Sequence, residues 1–242
     1  MNQLPLFYKS IVPLSKERHG NLYVKPPENF KHAREANSIY ITAVEFPKAS
    51  REYPIVFGKD KDGALFPVVL LGLQINQNLF VNNGGKWLAD YIPAYVRRYP
   101  FILAADQNNR EKFTVCLDEA YAGFNNNRKG QQLFDDAGNE TETLKQTITF
   151  LREFQNQVQL TTLFCNKISE LGIIESMQAR IEKDGKQTAL GSFMCVNRQR
   201  LKDLPPEKMT ELVRTDMMEL IYAHLASLNN IEKLLRKAVN GE

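Results

Sequence analysis

The chain of 242 residues is 43% hydrophobic and 24% charged, which is enough apolar material for a real core and excludes disorder of the whole. Its formal net charge of +3 is weak for this length and disfavours a dedicated nucleic-acid binder, which carries a stronger basic excess or stripe. Three widely spaced cysteines, Cys116, Cys165 and Cys195, form no C-x-x-C and exclude zinc-ribbon and thioredoxin-like chemistry; each is set among apolar neighbours, as reduced, packed thiols in a reducing compartment are.

The N-terminus lacks the basic n-region and apolar run of a signal peptide. The longest apolar stretch, Ala64 to Leu73, is interrupted by Pro67 and Gly72 and is far too short to span a bilayer. A cytoplasmic protein without a membrane span is expected, with non-classical export to the surface left open.

Residues 1–135 read mainly as strands and turns. Ile39 to Phe46 is β-branched and aromatic and stops at Pro47, and Tyr53 to Phe57 is a second short run. Phe66 to Leu73 is apolar on both faces, as a central strand is, and Leu79 to Val81 precedes the turn signal Asn82-Asn-Gly-Gly85. Phe101 to Ala104 and Phe113 to Leu117 bracket a polar loop, Asp106 to Lys112, as a hairpin does.

The spacing over 139–172 predicts a long helix. Asn139 is placed to cap it and Glu142 to complete a capping box. Leu144, Ile148, Leu151, Phe154, Val158, Thr161, Cys165 and Ile168 form one face, and Gly172 ends it. Some 32 residues at 1.5 Å rise make a rod of roughly 48 Å. Residues 177–196 read as a hairpin about a type I′ turn at Asp184-Gly185, with Met177, Ala179 and Ile181 facing Leu190, Ser192 and Met194. Residues 205–239 read as helices: one opened by Pro205-Pro206, and one capped by Asp216 and Glu219 that continues unbroken along Met217, Ile221, His224, Leu228, Ile231, Leu235 and Val239. No Ser/Gly-rich junction separates the halves. The expected fold is therefore a single α+β domain over 1–242: a mostly antiparallel N-terminal sheet, joined by the C-terminal hairpin and packed against long C-terminal helices.

Candidate chemistry concentrates in Trp87 to Phe101, which holds the sole Trp, three Tyr, two adjacent Arg and two Pro. Pro93 and Pro100 would frame a helix of one or two turns, with Tyr91, Tyr95 and Tyr99 near one line and Arg97 and Arg98 pointing elsewhere. An extended stretch would instead set Tyr91, Tyr95, Arg97 and Tyr99 on one face. Either way a rigid aromatic surface, with Trp87 at its start, sits beside guanidinium groups. Such a surface suits a peptide, an acidic small ligand or a partner protein, because guanidinium offers a planar donor fork and Tyr adds rigid area. The plain alternative has the rings capping the core and the arginines paired with Asp90 or Asp118.

His224, with Ser227 three residues on, lacks the orienting group that a nucleophilic couple needs. His19 and His32 are isolated, so no metal site is expected, and no cofactor motif occurs. Asp60-Lys-Asp62-Gly63 opens like a calcium loop but lacks the later ligands, so it reads as a turn.

Phe7-Tyr-Lys-Ser-Ile-Val-Pro-Leu14, Leu65 to Leu73, Asn78-Leu-Phe-Val81, Tyr91 to Phe101, Leu133-Phe-Asp-Asp136, Phe150 to Gln155, Leu190-Gly-Ser-Phe193 and Ile221 to Leu228 together resemble the SapC family of bacterial proteins, in order and over nearly the whole length. The resemblance implies an accessory role beside flavin-dependent halogenase-like proteins and outer-membrane receptors, and its surface-array name implies a surface-layer component as one alternative. It supplies no catalytic residues. Our reading is a non-enzymatic binding protein using the Trp87–Phe101 surface. The enzymatic alternative builds a pocket from Arg97 or Arg98, Tyr95, His224 and Glu45.

Overall fold

The computed structural model describes residues 4–105, 113–183 and 186–240. In chain order the first elements are β1 (Ile11–Pro13), α1 (Lys16–His19), β2 (Tyr23–Val24), β3 (Ser38–Tyr40), α2 (Phe46–Ala49), β4 (Ile55–Lys59) and β5 (Leu65–Leu70). Next come α3 (Ala94–Arg97), β6 (Phe101–Ala105), β7 (Phe113–Asp118), β8 (Phe124–Asn125), β9 (Gln131–Gln132) and α4 (Glu142–Glu170). The chain closes with β10 (Ile174–Lys183), β11 (Lys186–Val196), α5 (Arg198–Lys202), α6 (Pro206–Arg214), α7 (Met217–Ser227) and α8 (Asn230–Asn240). Antiparallel sheets followed by helices make this the expected α+β class. Among the described residues no helix is long and apolar enough to cross a membrane.

Contacts divide the chain into two compact units, cut at His32/Ala33, Pro93/Ala94 and Asn156/Gln157. The first unit holds the sheets β1-β7-β6 and β8-β2-β9. Phe101 and Leu117, paired across β6 and β7, meet Leu133, Phe134 and the Leu144, Ile148, Leu151 stripe of α4 in one core. The second unit holds the sheet β10-β11-β4-β5-β3, so the C-terminal hairpin does join strands from the first half of the chain. Phe46, Phe57 and Phe164 fill its core, with ring centroids 5.9 to 6.4 Å apart. Helix α7 packs on α2, β4 and β11.

Several expectations are corrected. Ile39 to Phe46 is not one strand. It stops at Tyr40 and turns into a 3-10 segment, Ala43–Glu45, because the buried Glu45 carboxylate accepts hydrogen bonds from the backbone N–H (2.9 Å) and hydroxyl (2.7 Å) of Thr42. Pro47 then stands in the first turn of α2, where its missing N–H costs nothing. Helix α4 is capped by Thr141 and not by Asn139: Thr141 Oγ1 accepts from Leu144 N, while Asn139 is bound to Asp135. The helix expected to run unbroken to Val239 is interrupted at Leu228–Asn229, and Asn230 donates its amide to the carbonyls of Ser50 and Tyr53. Asp216 lies in the left-handed region at φ 57° with no capping hydrogen bond. Leu79 to Val81 makes only an isolated bridge, Val81 to Trp87. Asp60 does build a plain turn, its Oδ1 accepting from Asp62 N and Ala64 N. The Asp106–Lys112 loop, the Asp184-Gly185 turn and the side-chain faces expected of Ala179, Ile181 and Leu190 lie outside the described residues.

Gly72 carries a close approach. A Cβ built there would lie 2.0 Å from the backbone oxygen of Gln77, while the Gly72 N–H donates to Asn37 O at 3.0 Å. Backbone cannot step aside as a flexible side chain can. Gly72→Ala is therefore expected to destabilise the fold by about 1–3 kcal/mol, read from urea denaturation midpoints.

Candidate functional site

Helix α3 is a single turn, and the three-residue step from Tyr95 to Arg98 sets both on one side of it. The Arg98 guanidinium lies 3.9 Å from the Tyr95 ring centroid, 5.1 Å from Phe154 and 5.8 Å from Tyr8. It is thus wrapped in π faces, an arrangement that favours a cation once it leaves bulk water. Its Nε–H is shielded from solvent and has no hydrogen-bond partner, and no ion pair formed by the described residues involves it. The neighbouring Arg97 is exposed, with its guanidinium 5.2 Å from the Phe150 ring.

Both arginines line a cavity of about 390 Å³ inside the first unit. One wall is the Pro26-Pro27 pair and another is the α4 surface of Thr143, Gln146, Thr147 and Phe150. Those four stand at i, i+3, i+4 and i+7, a stripe of three polar residues and one Phe on the helix whose apolar stripe enters the core. Among the described lining residues the charged ones are Arg97 and Arg98. The cavity lies within the size range of small-molecule sites, and its lining combines two guanidinium groups with neutral polar side chains and apolar rings.

Tyr99 lines the same cavity with little of its surface exposed. Its ring stacks on His32 (centroids 4.5 Å, 23°) and meets Tyr8 and Tyr121 edge-on. Its hydroxyl donates to Asp118 at 3.2 Å. Burial, reinforced by the Asp118 carboxylate, raises its pKa.

The other expected site residues do not join this cavity. Trp87, 5% exposed, belongs to the second unit, where its Nε1 donates to Tyr53 OH at 2.8 Å. Tyr53 in turn donates to Tyr91 O, and Tyr91 OH donates to Glu45 at 2.6 Å. The Trp87–Phe101 segment is thus not displayed as one surface: Trp87 and Tyr99 are buried, and Pro93/Ala94 is where the chain passes from one unit to the other. Asp118, a suggested arginine partner, binds Tyr99 and backbone N–H groups.

His224, fully buried in the second unit, is a structural residue. Its Nδ1 bonds Ile55 O at 2.8 Å and its Nε2 accepts from Val196 N at 3.1 Å. Ser227 Oγ accepts from Ile55 N and donates to His224 O, so it is not aimed at the imidazole. Burial holds the His224 pKa down at about 4. Its Nε2 accepts from backbone and its Nδ1 proton is committed to the Ile55 carbonyl, so the imidazole is held as a structural group. The thiols are equally quiet: burial pushes Cys165 up to about 12 and Cys195 up to about 11. Among the described residues no group of three or more His, Cys, Asp or Glu could hold a metal ion.

The sequence singled out the arginines but missed the opposite walls. The stripe of Thr143, Gln146, Thr147 and Phe150 was the available signal, masked by the stronger apolar stripe beside it.

A family model described as SapC matches residues 14–234. No curated protein and no solved structure matches the chain.

Proposed function

The chain belongs to the SapC family, and we propose that it serves there as a non-enzymatic binding protein whose arginine cavity takes an acidic small ligand. The observation that carries this reading is Arg98: a half-buried guanidinium that joins no ion pair among the described residues and lines a cavity where Arg97 is the other charge among the described lining residues. A carboxylate or phosphate oxygen in the cavity would give the half-buried guanidinium a charge-assisted hydrogen bond. The committed imidazole of His224 and the neutral buried thiols support binding over catalysis. Unpaired thiols support a reducing, cytoplasmic setting, and the accessory role beside halogenase-like proteins and outer-membrane receptors is part of the same proposal.

A thermal-shift screen of carboxylates and phosphate esters, followed by calorimetry, tests it. At least one acidic compound is expected to stabilise the wild type. Charged hydrogen bonds contribute roughly 1.5–3 kcal/mol each, so Arg97→Ala/Arg98→Ala, which removes at least one, should weaken that compound by at least about tenfold. Arg97→Gln, at an exposed position, keeps the comparison valid should the double variant not fold. Equal affinity in the variants, or no acidic compound that stabilises the wild type, discards the reading.

A further inference from the structure

A second cavity of about 510 Å³ lies in the same unit and shares Pro26, Pro27 and Tyr99 with the arginine cavity. Its charged lining is different: Lys9, Lys25 and Lys31 against the single carboxylate of Glu28. No ion pair formed by the described residues involves any of the three lysines.

The walls are held by backbone hydrogen bonds rather than by the lysine ammoniums. Lys9 N donates to Asp118 at 3.0 Å. Lys25 N donates to Gly123 O at 3.0 Å, and Lys25 O accepts from Tyr121 OH at 2.8 Å. Lys31 N donates to Asn29 Oδ1 at 3.1 Å. The stacked His32–Tyr99 pair contributes a further wall. Three lysines therefore line one concavity, Lys25 partly buried and Lys9 and Lys31 exposed. A cleft lined by one sign of charge concentrates counter-ions, and lysine serves it as a mobile point charge. The volume exceeds what one phosphate or carboxylate fills and suits a small organic molecule.

We propose that Lys9, Lys25 and Lys31 form a second anion-binding site, which takes a small molecule bearing two or more negative charges, as polycarboxylates and phosphate esters do. The inference does not rest on the arginine cavity. His32 supplies the reporter: its Nε2 has no hydrogen-bond partner, and burial lowers its pKa to about 4, so the ring is neutral at pH 7.

Citrate and inorganic pyrophosphate are the probes, one for each chemical source. Each is titrated at pH 7 and followed by calorimetry and by the His32 ring resonances. At least one probe is expected to bind and shift those resonances, and which one does identifies the source. Lys25→Ala/Lys31→Ala should weaken it by tenfold or more, with Lys31→Ala alone, at an exposed residue, serving if the pair does not fold. Arg97→Gln should leave the His32 response intact. The proposal is overturned if neither probe moves the His32 signals, if the lysine variants bind as the wild type does, or if Arg97→Gln abolishes the response, which would place the probe in the arginine cavity.

Discussion

His224→Ala is expected to cost about 3–5 kcal/mol of folding stability, measured as the shift in urea denaturation free energy. The reason is the position of the imidazole in the second unit's sheet. Strands β4 and β11 pair at Met194 and Phe57. Continued by two residues, that register sets Val196 opposite Ile55. No ladder pair forms there, and His224 stands in its place, accepting from Val196 N and binding Ile55 O. Alanine would strand a buried N–H and weaken the satisfaction of a buried carbonyl, costing about 1–3 kcal/mol per group, and would add the cavity left by the ring. Ser227 would still satisfy Ile55 N, which keeps the loss finite.

The same geometry fixes a pH dependence. Nε2 must be bare to accept from Val196, so the folded state holds the ring neutral, with burial lowering its pKa to about 4. The unfolded chain protonates near 6.5. Between those values the unfolded state binds a proton that the folded state refuses. The contribution, about 3 kcal/mol, is fully present above pH 6.5 and is lost as pH falls towards 4. His32, lowered to about 4 by burial, acts in the same direction. Stability of His224→Ala should accordingly fall less steeply than that of the wild type between pH 6.5 and 4; parallel curves would show that the imidazole is not held neutral.

What the sequence disclosed follows the range of the interactions involved. The core stripe of α4 and its stop at Gly172 are local and periodic, and they are present as read. Thr42–Glu45 is just as local, but its capping hydrogen bonds compete with strand propensity, and a single buried carboxylate decided for the turn. The break before Asn230 depends on carbonyls of Ser50 and Tyr53, far away in the chain, and no periodicity contains them. The site divides in the same way. Adjacent arginines between prolines are visible as letters. Whether Tyr99 and Trp87 face out or in depends on Asp118 and Tyr53 finding their hydroxyl and indole, which is settled only by tertiary packing. The lysine cavity gathers residues 9, 25 and 31 from separate turns, and its pattern has no period to detect.

Asp118→Ala is expected to destabilise the fold by about 3–5 kcal/mol, and Asp118→Asn by somewhat less. The carboxylate is 0% exposed. It accepts from Lys9 N and Ser10 N at 3.0 and 2.8 Å, from Ala120 N at 3.2 Å and from Tyr99 OH at 3.2 Å. Alanine orphans all four donors, and each unsatisfied buried donor costs about 1–3 kcal/mol before local relaxation recovers part of it. Asparagine retains one oxygen but turns an NH₂ towards donors. The effect on ligand binding is the sharper test, because two influences oppose each other. Removing a negative charge near Lys9 should, by Coulomb attraction alone, tighten an anion in the lysine cavity. Removing the group that pins Lys9, Ala120 and Tyr99 should loosen the walls on which that site depends. Pre-organisation is expected to win, so Asp118→Asn, still folded at low temperature, should bind the preferred probe several-fold more weakly than the wild type. Tighter binding in calorimetry would show that the walls stand without Asp118 and that the carboxylate acts on this cavity only as a charge.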